Sequence, residues 1–148
     1  MTVNDIRATI ELRIAAEMSK LPAYPVNYQN TPFVPPNAAP WLQAFVRFGD
    51  NSYATLLEPT PGFNRQNGTL SVNVFTPVGV GTAANFVIAE RIKGLFDRVN
   101  TGGIIFDAAS GPASVSASVI ESGASAGSGL AAAYFQTQLT ITFQAYVD

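Results

Sequence analysis

Between Gly68 and Phe96 the hydrophobic period of the chain changes from two residues to about 3.6, and this switch constrains the fold more than any other feature. Leu70, Val72 and Val74 alternate with Thr69, Ser71 and Asn73, the pattern of a strand with one buried face. Pro77 closes the strand, because it has no N–H to give a ladder, and Gly79 and Gly81 permit a sharp turn. Thr82 stands where an N-cap is wanted. Beyond it Ile88, Ile92, Leu95 and Val99 fall on one helical stripe, widened by Phe96. On this reading Asn85 and Lys93 face water, and Gly94 weakens the last turns slightly. The unit predicts one side of a sheet-plus-helix core.

The same turn imitates a dinucleotide fingerprint. Gly79-Val80-Gly81-Thr82-Ala83-Ala84 fits G-x-G-x-x-[GA], and Ile104–Phe106 with Asp107 follows as a second strand ending in an acid. The leading strand, however, alternates apolar with polar residues, whereas a central parallel strand is apolar on both faces. Pro77 separates strand from glycines, and no second βαβ half follows. The glycines therefore read as turn residues, and no cofactor is expected.

Catalysis has little to work with here. The 148 residues contain no cysteine and no histidine, which removes thiolate metal sites, most zinc chemistry, Ser-His and Cys-His pairs and the usual proton shuttle at neutral pH. The ten carboxylates include no D-x-D or E-x-x-E pair, and the two lysines, Lys20 and Lys93, form no S-x-x-K motif. Neither a metal site nor an enzyme is expected. Charged residues make up 12% of the chain, against about 25% in average usage, which suits a surface covered by partners. A net charge of −2 without a basic cluster argues against a phosphate-binding face. No apolar run approaches the ~20 residues a membrane helix needs. The N-terminus opens as a capped helix rather than a signal peptide, so synthesis in the cytoplasm is expected.

Taken in order, Thr2-Val3-Asn4-Asp5 is a capping signature. Ile6, Ile10 and Ile14, joined by Met18 and Leu21, make a stripe for a helix over residues 3–20, with Arg7, Glu11, Arg13 and Glu17 on the wetter side. Six of the ten prolines fall in Leu21–Pro40, a rigid connector holding a short edge strand at Val26–Gln29. Trp41–Phe48 is apolar on both faces and should be a covered strand. Gly49-Asp50-Asn51-Ser52 predicts a turn after which Tyr53–Leu57 pairs back. Pro59–Asn67 then forms a loop in which Phe63 and Arg65 combine an aromatic with a cation, a typical interface pair. Gly102-Gly103 turns the chain into Ile104–Phe106, and Ala113–Ile120 alternates as a strand. Glu121–Ala132 is Ser/Gly/Ala-rich and predicts a mobile loop. In the last strand Leu139, Ile141, Phe143 and Ala145 share one face, with Gln138, Thr140, Thr142 and Gln144 on the other. The expected architecture is a single α+β domain: a mixed, mainly antiparallel sheet packed against two α-helices.

Four stretches in this order carry a family resemblance: the helix around Ile6–Ile14; Asn30–Pro36 leading into Trp41–Val46; Gly68–Pro77 with Gly79 and Gly81; and Ala89–Phe96 with Gly102-Gly103. Over residues up to about 106 the chain resembles the tail terminator (tail-completion) proteins of long-tailed bacteriophages; the last third matches only in general β character. The resemblance implies a structural virion protein of siphovirus type that assembles as a homohexameric ring. Such a ring caps the head-proximal end of the tail tube, ends tube polymerisation and offers the neck and head a docking surface. It implies the major tail tube protein and a neck or head-completion protein as partners, and DNA that crosses the lumen without specific binding. Phe63, Asn64, Arg65 and Gln66 are the candidate partner interface. Two other readings stand beside it: a neighbouring ring-forming neck or minor tail protein, and a small-molecule or peptide-binding β-sheet module.

Overall fold

A computed structural model describes residues 1–36, 38–53, 64–114 and 134–147. Helix α1 (Val3–Met18) is followed by strands β1 (Val26–Tyr28), β2 (Trp41–Tyr53) and β3 (Asn64–Pro77). Helix α2 (Ala83–Phe96) precedes β4 (Asn100–Thr101), β5 (Ile104–Phe106), β6 (Ser110–Ser114) and β7 (Tyr134–Val147). The strands form one sheet in the order β1-β2-β3-β7-β5-β4, with β6 also paired to β7. Only β1 and β2 run parallel; the other described pairings are antiparallel. The architecture is the expected α+β one, mainly antiparallel with two helices.

Both helices cover the same face of the sheet. Ile6, Ile10, Ile14 and Met18 of α1 meet Ile88, Ala89, Ile92 and Phe96 of α2 in one core with Leu42, Ala44, Val46, Leu70, Val72, Val74, Leu139, Ile141 and Phe143. The strand residues in that set recur every second position, so one register buries the apolar member of each pair. On the opposite face Trp41 stacks on Phe75 with ring centroids 4.0 Å apart, and Tyr134 and Phe33 pack around them. Gln43 and Asn73 lie buried beside this cluster, the Asn73 amide donating to Gln43 Oε1 at 3.0 Å. The two-faced covering expected of Trp41–Phe48 holds for Trp41–Val46, whereas Arg47 and Phe48 are exposed.

The capping box of α1 forms as the sequence predicts: Thr2 Oγ1 accepts from the Asp5 N–H at 3.2 Å, and Asp5 Oδ2 accepts from the Thr2 N–H at 2.7 Å. The helix stops at Met18, so Leu21 falls off the stripe and is exposed. Arg13 and Glu17, expected on the wet side, instead join the helices. Arg13 Nε donates to the Leu95 carbonyl at 2.8 Å, and Arg91 Nε donates to Glu17 Oε1 at 3.3 Å. Desolvation raises the Glu17 carboxyl, but hydrogen bonds from Lys20 and Arg91 outweigh it and hold it below the usual carboxylate range.

Four further expectations are corrected. Gly49–Ser52 is not a turn: β2 continues through it to Tyr53, with one extra residue accommodated between Phe48 and Asn51 as a bulge. Tyr53 therefore pairs with Asn64 of β3 rather than folding back on β2. Residues 54–57 lie outside the described residues, as do 115–120 of the predicted Ala113–Ile120 strand and all of the predicted loop at 121–132. Thr82 makes no side-chain cap; its carbonyl accepts from the Phe86 N–H at 3.0 Å. The buried stripe of α2 runs through Asn85, Ile88, Ala89, Ile92 and Phe96, leaving Leu95 and Val99 only half-buried at its margin.

Gly68 sits where β2, β3 and β7 cross, and the Phe143 ring lies over it. A Cβ there would stand 2.4 Å from Phe143 Cζ and 2.8 Å from the Arg47 carbonyl oxygen. Gly68→Ala should therefore lower stability by about 1–3 kcal/mol, the usual cost of overpacking, despite alanine's smaller backbone entropy loss. A urea midpoint unchanged or raised in the variant would show that the ring yields freely.

Candidate assembly interfaces

The sequence-predicted interface lies at the start of β3, where the strands β2, β3 and β7 end together. Arg65 pairs across the ladders with Ser52 and Tyr146, and both Arg65 and Tyr146 are exposed. A forked cation beside an exposed phenol is a contact-making pair. Asn64 is half-buried. Gln66 is turned inward and buried, and its amide donates to the carbonyls of Gly49 at 2.9 Å and Asn67 at 2.8 Å. The bulge in β2 interrupts the ladder beside Gly49, and the Gln66 side chain supplies a bond in its place. Phe63 lies outside the described residues. The structure thus brings Arg65 together with Tyr146, which sequence reasoning had not singled out. The signal available was the alternation of β7, which puts Tyr146 on the polar side of the last strand.

Just inboard of this end the sheet carries a hollow of about 580 Å³ whose lining includes Arg47, Phe48, Thr69, Asp107, Thr142 and Phe143. Its polar members are tied to the scaffold. Thr142 Oγ1 donates to Asp107 Oδ2 at 2.8 Å, the Asp107 N–H returns to the Thr142 carbonyl at 2.9 Å, and the Arg47 guanidinium lies 4.9 Å over the Phe45 ring.

At the other end of β3 the surface is apolar. Val78 is 61% exposed, Val80 59%, Phe86 37% and Val87 62%, all within ten consecutive residues. Gly79 and Gly81 hold the turn at φ +91° and +82°, in the left-handed region that costs glycine nothing. Since β3 has antiparallel neighbours on both sides, these glycines do not open a βαβ unit. The valines between and before the glycines were the overlooked sequence signal, for they belong to no periodic element. A third surface lies along α1, where Leu12 is exposed beside a hollow of about 380 Å³ formed with Tyr28. Burial, and secondarily the Glu11 carboxylate, push the Tyr28 phenol above its usual range.

Among the described residues no group of acids could hold a metal ion, and no helix is long and apolar enough to cross a membrane. The family described as phage tail terminator protein matches residues 5–118. The chain belongs to that family. Terminator membership makes it a structural component of a phage tail that interacts with other tail components. A solved protein 25% identical in sequence superposes on it with a TM-score of 0.64, covering 100% of this chain and 98% of the other. Seven solved chains match in all, whereas no curated protein matches significantly.

Proposed function

We propose that this terminator acts as a homohexameric ring on the head-proximal end of a siphovirus tail tube, where it stops tube growth and receives the neck and head. The observation that carries the reading is the exposed apolar run at residues 78–87 in a chain with only 12% charged residues. Such surface is costly to leave in water and marks a protein contact. Tube subunits stack by repeating one head-to-tail contact, which has no intrinsic stopping point. A cap must match the tube end on one surface and present something else on the other. Arg65 and Tyr146, with the neighbouring Phe63 and Asn64, form the proposed partner-facing end, and the buried Gln66 braces the bulge beneath it. DNA crosses the lumen unbound, in keeping with a net charge of −2.

A phage lacking this protein should make filled heads and tubes separately, with tubes of irregular or excessive length and few joined particles. Phe63→Ala with Arg65→Ala should reproduce part of the defect in a subunit that still folds. Electron microscopy of the lysate decides the matter: normal-length tails firmly joined to full heads would refute the capping role.

A further inference from the structure

We infer that the uncharged end of one subunit, led by Val78 and Val80, packs into the hollow beside Leu12 and Tyr28 of a second copy of this chain, and that this contact joins the ring. The inference rests on the ring reading above and assigns the two surfaces that make it. Residues 21–46, 66–89 and 134–147 contain no aspartate, glutamate, lysine or arginine, and these stretches meet at one end of the sheet. Trp41 pairs there with Phe75 and Pro77 with Tyr134, while Phe33 packs on Trp41 and the Tyr134 hydroxyl donates to the Pro36 carbonyl. Val34, Val78, Val80, Phe86 and Val87 stand exposed at or beside this end. Depletion of charge, more than apolarity alone, distinguishes the core of a protein interface.

The covering surface must be as free of unpaired charge as the end it covers, because a lone ion buried there would find no partner. The hollow of about 380 Å³ on α1 meets that condition. Ala8, Leu12, Ala15 and Tyr28 supply its apolar lining, and its two charged members, Arg7 and Glu11, are paired to each other, with Arg7 also bonded to Asn4. Position makes the contact head-to-tail. Helix α1 runs antiparallel to α2, since Arg13 bonds Leu95 and Arg91 bonds Glu17. Leu12 is therefore level with the C-terminal end of α2, whereas the valine turn precedes its N-terminus. The helix between them spans 14 residues, about 20 Å at ~1.5 Å per residue. Two different surfaces of one molecule that fit each other define a heterologous contact, which propagates from copy to copy and closes into a ring when the rotation permits. Availability points the same way: an exposed apolar end is an aggregation hazard from the moment the subunit folds, and another copy is present wherever the chain is made.

The natural absence of cysteine makes the test direct. Val80→Cys and Leu12→Cys are introduced singly and together, and the full chain is treated with a short bis-maleimide, alone and with purified tail tubes. The double variant should give a ladder of covalently joined copies up to the ring, whereas each single variant should give no species above a dimer. In parallel, Val80→Asp and Leu12→Asp, both at exposed positions, should each lose the ring by light scattering while keeping the wild-type circular dichroism spectrum. Mixing the two aspartate variants should restore a dimer and nothing larger, because one intact end then meets one intact hollow. A ring that persists in either aspartate variant, or forms without cross-links in the double cysteine variant, overturns the assignment and leaves the ring reading intact. Dimers of Leu12→Asp alone overturn it in favour of end-to-end pairing. Cross-links from Val80→Cys to the tube subunit instead of to a second copy also overturn it, giving the uncharged end to the tube. Failure of the wild type to self-associate even with tubes present overturns the ring reading and this contact with it.

Discussion

Ile92→Ala is expected to destabilise the subunit by about 2–5 kcal/mol, the range for removing a large aliphatic side chain from a core that cannot collapse around the gap. Ile92 has no solvent-exposed surface, and it lies on the inner stripe of α2 in the cluster that joins both helices to β2, β3 and β7. Two features limit relaxation there. Residues Ile88, Ala89 and Phe96 tie the same face of the helix to the sheet, and Arg13 and Arg91 bond α2 and α1 to one another from outside. The helix is therefore held at several points and cannot slide inward to fill the space. Urea denaturation of the two proteins gives the difference directly. A cost under about half a kcal/mol, the range of changes at exposed sites, would mean that the stripe is not buried.

Asn85→Ala should be nearly as damaging, for a different reason. Asn85 is fully buried in the first turn of α2. Its Nδ2 donates to the Val74 carbonyl at 3.0 Å and to Thr76 Oγ1 at 3.2 Å, with the Phe135 carbonyl at 3.4 Å, while its Oδ1 accepts from the Thr137 hydroxyl. One side chain thus satisfies groups on both β3 and β7 where the helix begins. Alanine strands several of them away from water at about 1–3 kcal/mol for each group left unpaired, so a total of about 2–4 kcal/mol is expected. Asn85→Asp separates packing from bonding, because it keeps the shape and replaces the donor by a carboxylate facing oxygens. Burial among acceptors raises the folded-state pKa of that carboxyl above its unfolded value. Its deficit relative to wild type should therefore shrink as the pH falls and the acid regains a proton to donate. Equal loss at acid and neutral pH would show that Asn85 acts through volume alone.

These two residues mark the line between what could and could not be read in advance. Ile92 was legible because a buried helical stripe declares itself by spacing within one element. Asn85 lies on the same helix and was expected to face water, since nothing local distinguishes an enclosed asparagine from a solvated one. What encloses it is the meeting of Thr76 with Thr137, residues 61 positions apart in the chain. The bulge is a similar case: Gly49–Ser52 has turn composition, yet its backbone stays in the ladder because β3 runs alongside and Gln66 reaches the Gly49 carbonyl.

By itself the sequence determined the elements and their inner faces: the capping box at Thr2 and Asp5, the alternation of β3 and β7, the glycine pair between β4 and β5, and the absence of cysteine and histidine. Each is a property of residue type and short-range spacing, so each survives without knowledge of neighbours. Tertiary structure alone decided which strands lie side by side, with β1 parallel to β2 and β3 between two antiparallel partners. It also decided that Gln66 turns inward while Arg65 meets Tyr146, and that the valine turn stays uncovered in the subunit. Those outcomes depend on contacts between distant segments, where the free energy of burying one face against another selects among pairings that local propensity leaves nearly equal.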